Sequence, residues 1–195
     1  AYNSCRNRHC PKCQASAARR WLDARQADLL PVDYFHVVFT LPAPISEIAY
    51  YNKAVLYGLL FEVAAETLRT IAADPKHLGA EIGFFSVLHT WGQTLTQHIH
   101  LHCLIPGGML STAERWQVID KGYLFPVKAL STVFRAKMVQ QLRDEQLSIP
   151  DKDALLAKPW TVFSKACLCK PQTVLRYLGR YTRKGVIHES RLQRI

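Results

Sequence analysis

An α+β protein built on a largely antiparallel sheet is predicted for this chain of 195 residues, on three observations. Segments of strand and helix character follow one another without strict strand–helix–strand alternation. Two strand segments, 84–91 and 99–105, are joined by a polar connection, which favours an antiparallel pair. Hydrophobic residues make up 49% of the chain against 21% charged, the balance of a globular protein with one substantial core.

Taken in order, residues 1–14 are basic and cysteine-rich and differ in composition from all that follows. A helix is expected from about Ala15 to Leu30, with Arg19, Arg20 and Arg25 among alanines and leucines, ended by Pro31. Tyr34–Thr40 is aromatic and β-branched, a strand closed by Leu41 and Pro42. Ser46 suits the N-cap of one long helix to about Ala73, with Glu47 in the first turn, where the helix dipole favours an acid. The strands 84–91 and 99–105 follow, and Gly107 and Gly108 end the second. A weaker strand is expected near Arg115–Ile119, a helix from Ser131 to about Gln146, and a strand at Trp160–Phe163. Pro171 suits the first turn of a final helix to about Arg183. Gly185 breaks it, and Val186 and Ile187 begin a further strand.

No apolar run reaches the length of a bilayer span, and no signal-peptide pattern opens the chain. A soluble, intracellular protein is expected. The chain lacks an initiator Met and stops at Arg194 and Ile195, just after a basic segment, so a fragment of a longer protein is also expected. The net charge of +10 calls for a polyanionic partner, nucleic acid first, because each neutralised phosphate releases a counterion. An acidic membrane fits less well, since no basic amphipathic helix with a broad apolar face is present.

Three constellations carry chemistry. In Gln97–His98–Ile99–His100–Leu101–His102, alternation along a strand puts three imidazoles on one face and aliphatic side chains on the other. Adjacent members of the row stand roughly 6.8 Å apart, from about 3.4 Å rise per residue, so two of them can share a metal ion. His100 and His102 are the working pair. His89, on the strand expected to pair with theirs, is the preferred third ligand, with Gln93 and His98 as alternatives. A histidine-rich exposed strand face without metal is the alternative, which three histidines in alternation against an aliphatic back face make the poorer explanation.

The second constellation is Arg176–Tyr177–Leu178–Gly179–Arg180–Tyr181–Thr182–Arg183–Lys184. On a helix Tyr177, Tyr181 and Lys184 share a face. A tyrosine hydroxyl can attack phosphorus when a metal or cation stabilises the transferring group, and Arg176, Arg180 and Arg183 could hold backbone phosphates. Taken alone, this motif is better explained by tyrosines packing beside Val174 and Leu178.

The third is Cys5–Arg6–Asn7–Arg8–His9–Cys10–Pro11–Lys12–Cys13. Cys10 and Cys13 have zinc-knuckle spacing and Cys5 is a third candidate thiolate. His9 is an awkward fourth ligand beside Cys10, and Arg6 and Arg8 suit contact with DNA. Cys103, Cys167 and Cys169 read as structural or incidental.

Together these residues resemble the rolling-circle transposases of the IS91 type, in the HUH endonuclease superfamily. The matching pieces are residues 2–14, Val38–Pro42, Leu88–Gln93, His100–His102 with Pro106–Gly108, and Tyr177–Tyr181, in the family's order and across almost the whole chain. The resemblance implies a central antiparallel sheet of HUH-endonuclease, ferredoxin-like kind flanked by helices, with a small N-terminal zinc-binding remnant. It implies a partial zinc module and linking helix over 1–30 and a catalytic domain over 31–195, C-terminally truncated. It also implies Mg²⁺ or Mn²⁺ on His100, His102 and a third polar ligand, Zn²⁺ on Cys5, Cys10 and Cys13, and a nucleophilic pair at Tyr177 and Tyr181. The implied activity is nicking and strand transfer of single-stranded DNA at transposon ends through a 5′-phosphotyrosine intermediate, in the bacterial cytoplasm at the nucleoid. The competing expectations are a non-catalytic zinc-containing DNA-binding protein, a hydrolase using a metal-bound water, and an inactive transposase remnant.

Overall fold

The computed structural model describes residues 10–92, 96–111, 115–119, 124–149 and 151–167, with 172, 173 and 175. Two compact units divide the chain, one drawn from 1–31 and 167–195, the other from 32–166.

In the first unit lies α1 (Pro11–Ala27), with Cys10 at its N-cap. The helix starts earlier than the expected Ala15 because Pro11 presets the helical φ and lacks only an N–H that a first turn leaves unbonded. At its far end Arg25 Nε lies 2.9 Å from an Asp28 carboxylate oxygen. The final helix expected from Pro171 and the strand at Val186 and Ile187 lie outside the described residues, apart from helical Gln172, Thr173 and Leu175.

The second unit is built on a four-stranded sheet. Its strands are β1 (Tyr34–Thr40), β3 (Phe85–Trp91), β4 (Gln97–Pro106) and β7 (Val162–Ala166), in the order β3-β4-β1-β7. Every neighbouring pair is antiparallel. A second, three-stranded sheet joins β2 (Ala80–Glu81), β5 (Gly108–Ser111) and β6 (Trp116–Val118). The helices are α2 (Ala43–Tyr51), α3 (Lys53–Ala73), α4 (Val127–Asp144) and the short α5 (Lys152–Ala157). This is the α+β class expected, with helices flanking an antiparallel sheet.

One face of the large sheet is apolar. Phe35, Val37 and Phe39 of β1 and Ile99, Leu101, Cys103 and Ile105 of β4 are all buried, in one cluster with Leu60, Val63 and Leu68 of α3 and Leu130, Phe134 and Met138 of α4. Burying each such side chain stabilises the fold by roughly 1.5–3 kcal/mol. The opposite face of the same strands is thereby left to the even-numbered residues of β1 and β4.

Several boundaries differ from those expected. The single helix over 46–73 is two, because Asn52 leaves helical geometry at φ −124° and ψ 43°. Its backbone N–H and its side-chain amide both donate to the Ile48 carbonyl, at 3.2 and 3.1 Å, so the side chain competes with the helical ladder. Ser46 is not an N-cap. It lies inside α2, whose N-cap is Pro42, and its hydroxyl donates to the Leu41 carbonyl at 3.5 Å. Strand β4 ends at Pro106, before Gly107 as expected, but the chain bends at Gly107 and at Gly108 enters β5 of the second sheet, which was not expected. Helix α4 begins before Ser131, with Pro126 as its N-cap, and β7 overlaps the expected 160–163 but starts at Val162 and runs on to Ala166. No helix among the described residues is long and apolar enough to cross a membrane.

Phe39 is fully buried and packs on Phe134, ring centroids 4.8 Å apart, which couples the sheet to α4. Phe39→Ala is expected to lower unfolding free energy by about 3–5 kcal/mol in a denaturant titration. A loss under about 1 kcal/mol would contradict this packing.

Candidate metal centre

The apolar face determines where the histidines go. Strand β4 sends Ile99, Leu101 and Cys103 into the core, so His98, His100 and His102 project from the other side. In the pairing of β3 with β4, His89 stands directly opposite His100, and Val87 opposite His102. On the other flank, β1 places Thr40 opposite His100 and Val38 opposite His102. Residues opposite one another share a face, so His89 joins the row.

The rings of His89, His100 and His102 form a tight triangle. Centroids are 5.1 Å apart for His89 and His100, 4.1 Å for His89 and His102, and 4.9 Å for His100 and His102. One potential ligand atom from each lies within 4.8 Å of the others, the spacing of groups that could hold a single metal ion. His89 and His102 are buried and His100 is half-buried. His98 is exposed and outside this trio, but its backbone contributes: the His98 carbonyl accepts a hydrogen bond from His100 Nδ1 at 2.8 Å. A carbonyl can only accept, so neutral His100 carries its proton on Nδ1 and presents a lone pair at Nε2. Gln93 lies outside the described residues.

Sequence reasoning missed His36. It sits on β1, and its Nε2 lies 2.7 Å from His102 Nδ1, with the two rings stacked at 11° and 4.9 Å. The signal was available in outline. Phe35, Val37 and Phe39 alternate as a core face, which puts His36 on the side that β1 shares with the histidines.

All four imidazoles are held toward the neutral form. His102 is lowered to about 2 by burial and then by the neighbouring His89, His36 and His100. His89 is lowered to about 3 by burial, then by His100 and His36. His100 is also lowered, by burial first, although its bond to the His98 carbonyl works in the opposite direction. Burial alone lowers His36. Neutral imidazoles are the form that binds metal. On the opposite face Cys103 is fully buried, with its Sγ 3.1 Å from Ser86 Oγ and its thiol pushed up to about 12 by burial.

The other candidates are placed in part. Cys10 and Cys13, both half-buried, lie at the N-cap and in the first turn of α1. Cys5, Arg6, Arg8 and His9, and Cys169, Arg176, Tyr177, Arg180, Tyr181, Arg183 and Lys184, lie outside the described residues.

Comparison with known proteins gives matches along the chain. Residues 83–195 match the family described as "Putative transposase", and residues 1–41 match the "Transposase zinc-binding domain". The chain is similar to the protein named "Putative transposase y4qJ" of Sinorhizobium fredii, 48% identical over 98% of this chain and 53% of that protein. It is also similar to the transposase for insertion sequence element IS801 of Pseudomonas savastanoi pv. phaseolicola, 28% identical over 97% of this chain and 48% of that one. The chain thus spans about half the length of these curated relatives. Among solved structures, the conjugative relaxase TrwC with mutant OriT DNA overlaps at TM-score 0.49, with 16% identity over 70% of this chain and 51% of that one. A metal-free complex of the same relaxase with OriT DNA gives 0.47, with 17% identity over 56% and 43%.

In the unfolded chain the imidazoles return to their ordinary value of 6.5, while in the fold His89 and His102 take up protons only near 3 and 2. Below pH 6.5 the unfolded state therefore binds more protons, and stability that is complete above that value drains away as pH falls toward 3. The melting temperature of the metal-free protein is expected to be level from about pH 8 to 7 and to drop between about pH 6 and 4. Replacing His102 by Phe should flatten that drop; an unchanged profile would contradict the buried neutral cluster.

Proposed function

The chain belongs to the IS91-type transposases, and from that membership we propose that it nicks and transfers single strands of DNA through a tyrosine nucleophile. One observation carries the reading: three neutral imidazoles from two paired strands converge within 4.8 Å of one another.

That donor set fits a divalent ion. His89, His100 and His102 would hold it, His100 through Nε2 because its Nδ1 is committed to the His98 carbonyl. Mg²⁺ prefers an all-oxygen octahedron, so of the two ions expected Mn²⁺ is better served by three nitrogens. When bound, such an ion supplies Lewis-acid polarisation of the scissile phosphate.

The nucleophile would be Tyr177 or Tyr181, a reading supported by the resemblance of Tyr177–Tyr181 to the family's paired-tyrosine motif. The hydroxyl oxygen of one forms a bond to phosphorus and gives up its proton to water. The bond from phosphorus to the 3′ oxygen breaks, and that oxygen takes up a proton to leave a free 3′-hydroxyl. The linkage conserves the phosphodiester energy, so no nucleoside triphosphate is consumed. The second tyrosine then serves a second cleavage or the strand transfer. Arg176, Arg180, Arg183 and Lys184 would bind phosphates flanking the break, consistent with the net charge of +10. Residues 1–30, with Cys5, Cys10 and Cys13 as thiolates for Zn²⁺ and Arg6 and Arg8 for DNA, would form a zinc-binding segment ahead of a catalytic domain over 31–195. The match of residues 1–41 to a transposase zinc-binding domain supports that part. The partner would be single-stranded DNA at the ends of a mobile element, met at the bacterial nucleoid.

Incubation with labelled single-stranded DNA from the element's ends, followed by denaturing electrophoresis, tests the proposal. The protein is expected to form a covalent adduct that disappears in Tyr177→Phe/Tyr181→Phe. EDTA should stop cleavage, Mn²⁺ should restore it, and His100→Ala should reduce it by at least about 100-fold. Cleavage persisting in the double variant would mean a metal-bound water as nucleophile. Binding that survives EDTA, with no cleavage under any condition, would mean a non-catalytic DNA-binding protein.

A further inference from the structure

We infer that His36 is a positioning residue that presets His102 in the tautomer able to ligate a metal; the role rests on the metal reading of the histidine trio.

A hydrogen bond between two imidazole nitrogens needs one donor and one acceptor, and the 2.7 Å approach of His36 Nε2 to His102 Nδ1 leaves two arrangements. If His36 donates, the proton of neutral His102 must sit on Nε2, and His102 then has no lone pair left for a metal. If His102 donates from Nδ1, its Nε2 is bare and can ligate, and His36 carries its own proton on Nδ1. Only the second arrangement is compatible with His102 as a ligand. The same tautomer is imposed on His100 by different means, since the His98 carbonyl at 2.8 Å can only accept. Two ligands of the trio thus have Nδ1 occupied by an acceptor, one a backbone carbonyl and the other a side chain reaching from the adjacent strand.

His36 is held in place for this role from both sides. Its ring stacks on His102 at 4.9 Å, and Phe163 of β7 meets it edge-on at 6.0 Å and 70°. A row of rings therefore runs across the sheet from β7 through β1 and β4 to β3, and His36 has little freedom to swing away. As an uncharged acceptor it orients His102 without adding a negative charge beside the ligands, as a carboxylate would.

Two measurements test the inference. In metal-free protein labelled with ¹⁵N in its imidazoles, the spectrum should show protons on Nδ1 of both His36 and His102. A proton on His102 Nε2 would overturn the proposal. In calorimetric titration with Mn²⁺, His36→Phe keeps the ring but removes the acceptor, and should weaken binding by about 10–100-fold. His36→Gln offers an amide oxygen in place of Nε2 and should keep most of the affinity. Both variants should melt close to wild type, so that a loss of affinity is not a loss of fold. Unreduced affinity in His36→Phe would overturn the role of His36 alone. Failure of the wild-type protein to bind Mn²⁺ would overturn the metal reading and this role with it. If His36→Phe does not fold, the wild-type imidazole spectrum decides.

Discussion

Strand register is the constraint on which the rest of this structure depends. A strand has a period of two, so sliding β4 by one residue against its neighbours would exchange its faces completely. Ile99, Leu101, Cys103 and Ile105 are all fully buried, and exposing them would cost on the order of 10 kcal/mol. The hydrophobic effect, which has no preference for imidazole, thereby fixes the face and the row positions that the imidazoles occupy. His89 opposite His100 follows from the same register between β3 and β4.

Burial then settles the chemistry of those rings. Removing imidazoles from water disfavours their charged forms, and crowding them disfavours any second proton further. The result is a nitrogen-rich patch that stays uncharged at neutral pH. A cation approaching it meets little proton competition, and little electrostatic attraction either, so affinity has to come from ligand geometry. That is why the atoms behind the ligands matter: the His98 carbonyl and His36 determine which nitrogen faces outward.

Much of this was legible in the sequence. The His98–His100–His102 alternation is a local, period-two signal that survives without knowledge of the fold, and His89 could be inferred once two strands were assumed to pair. The face that His36 takes was legible from the alternation of Phe35, Val37 and Phe39, but its contact with His102 was not, because that partner lies 66 residues away and is reached only through pairing of β1 with β4. The break at Asn52 escaped because both flanking segments are good helix, and a side-chain hydrogen bond decides the matter locally. Strand β5 escaped because Gly107 and Gly108 read as punctuation, when they mark a change of sheet. Helix α5 and strand β2 are too short to show a period. The charged and tyrosine-bearing segment at 176–184 was legible only as a motif, through its resemblance to a family.

Cys103 has a use as a built-in clock. It sits between Leu104 and His102 in sequence and faces away from the metal-ligand candidates, fully buried with its thiol held in the unreactive protonated form. A thiol reagent can reach it only when the sheet comes apart. Its rate of modification therefore counts the openings of the strand that bears the histidines. Any ligand that binds only the assembled trio would slow that rate in proportion to its occupancy.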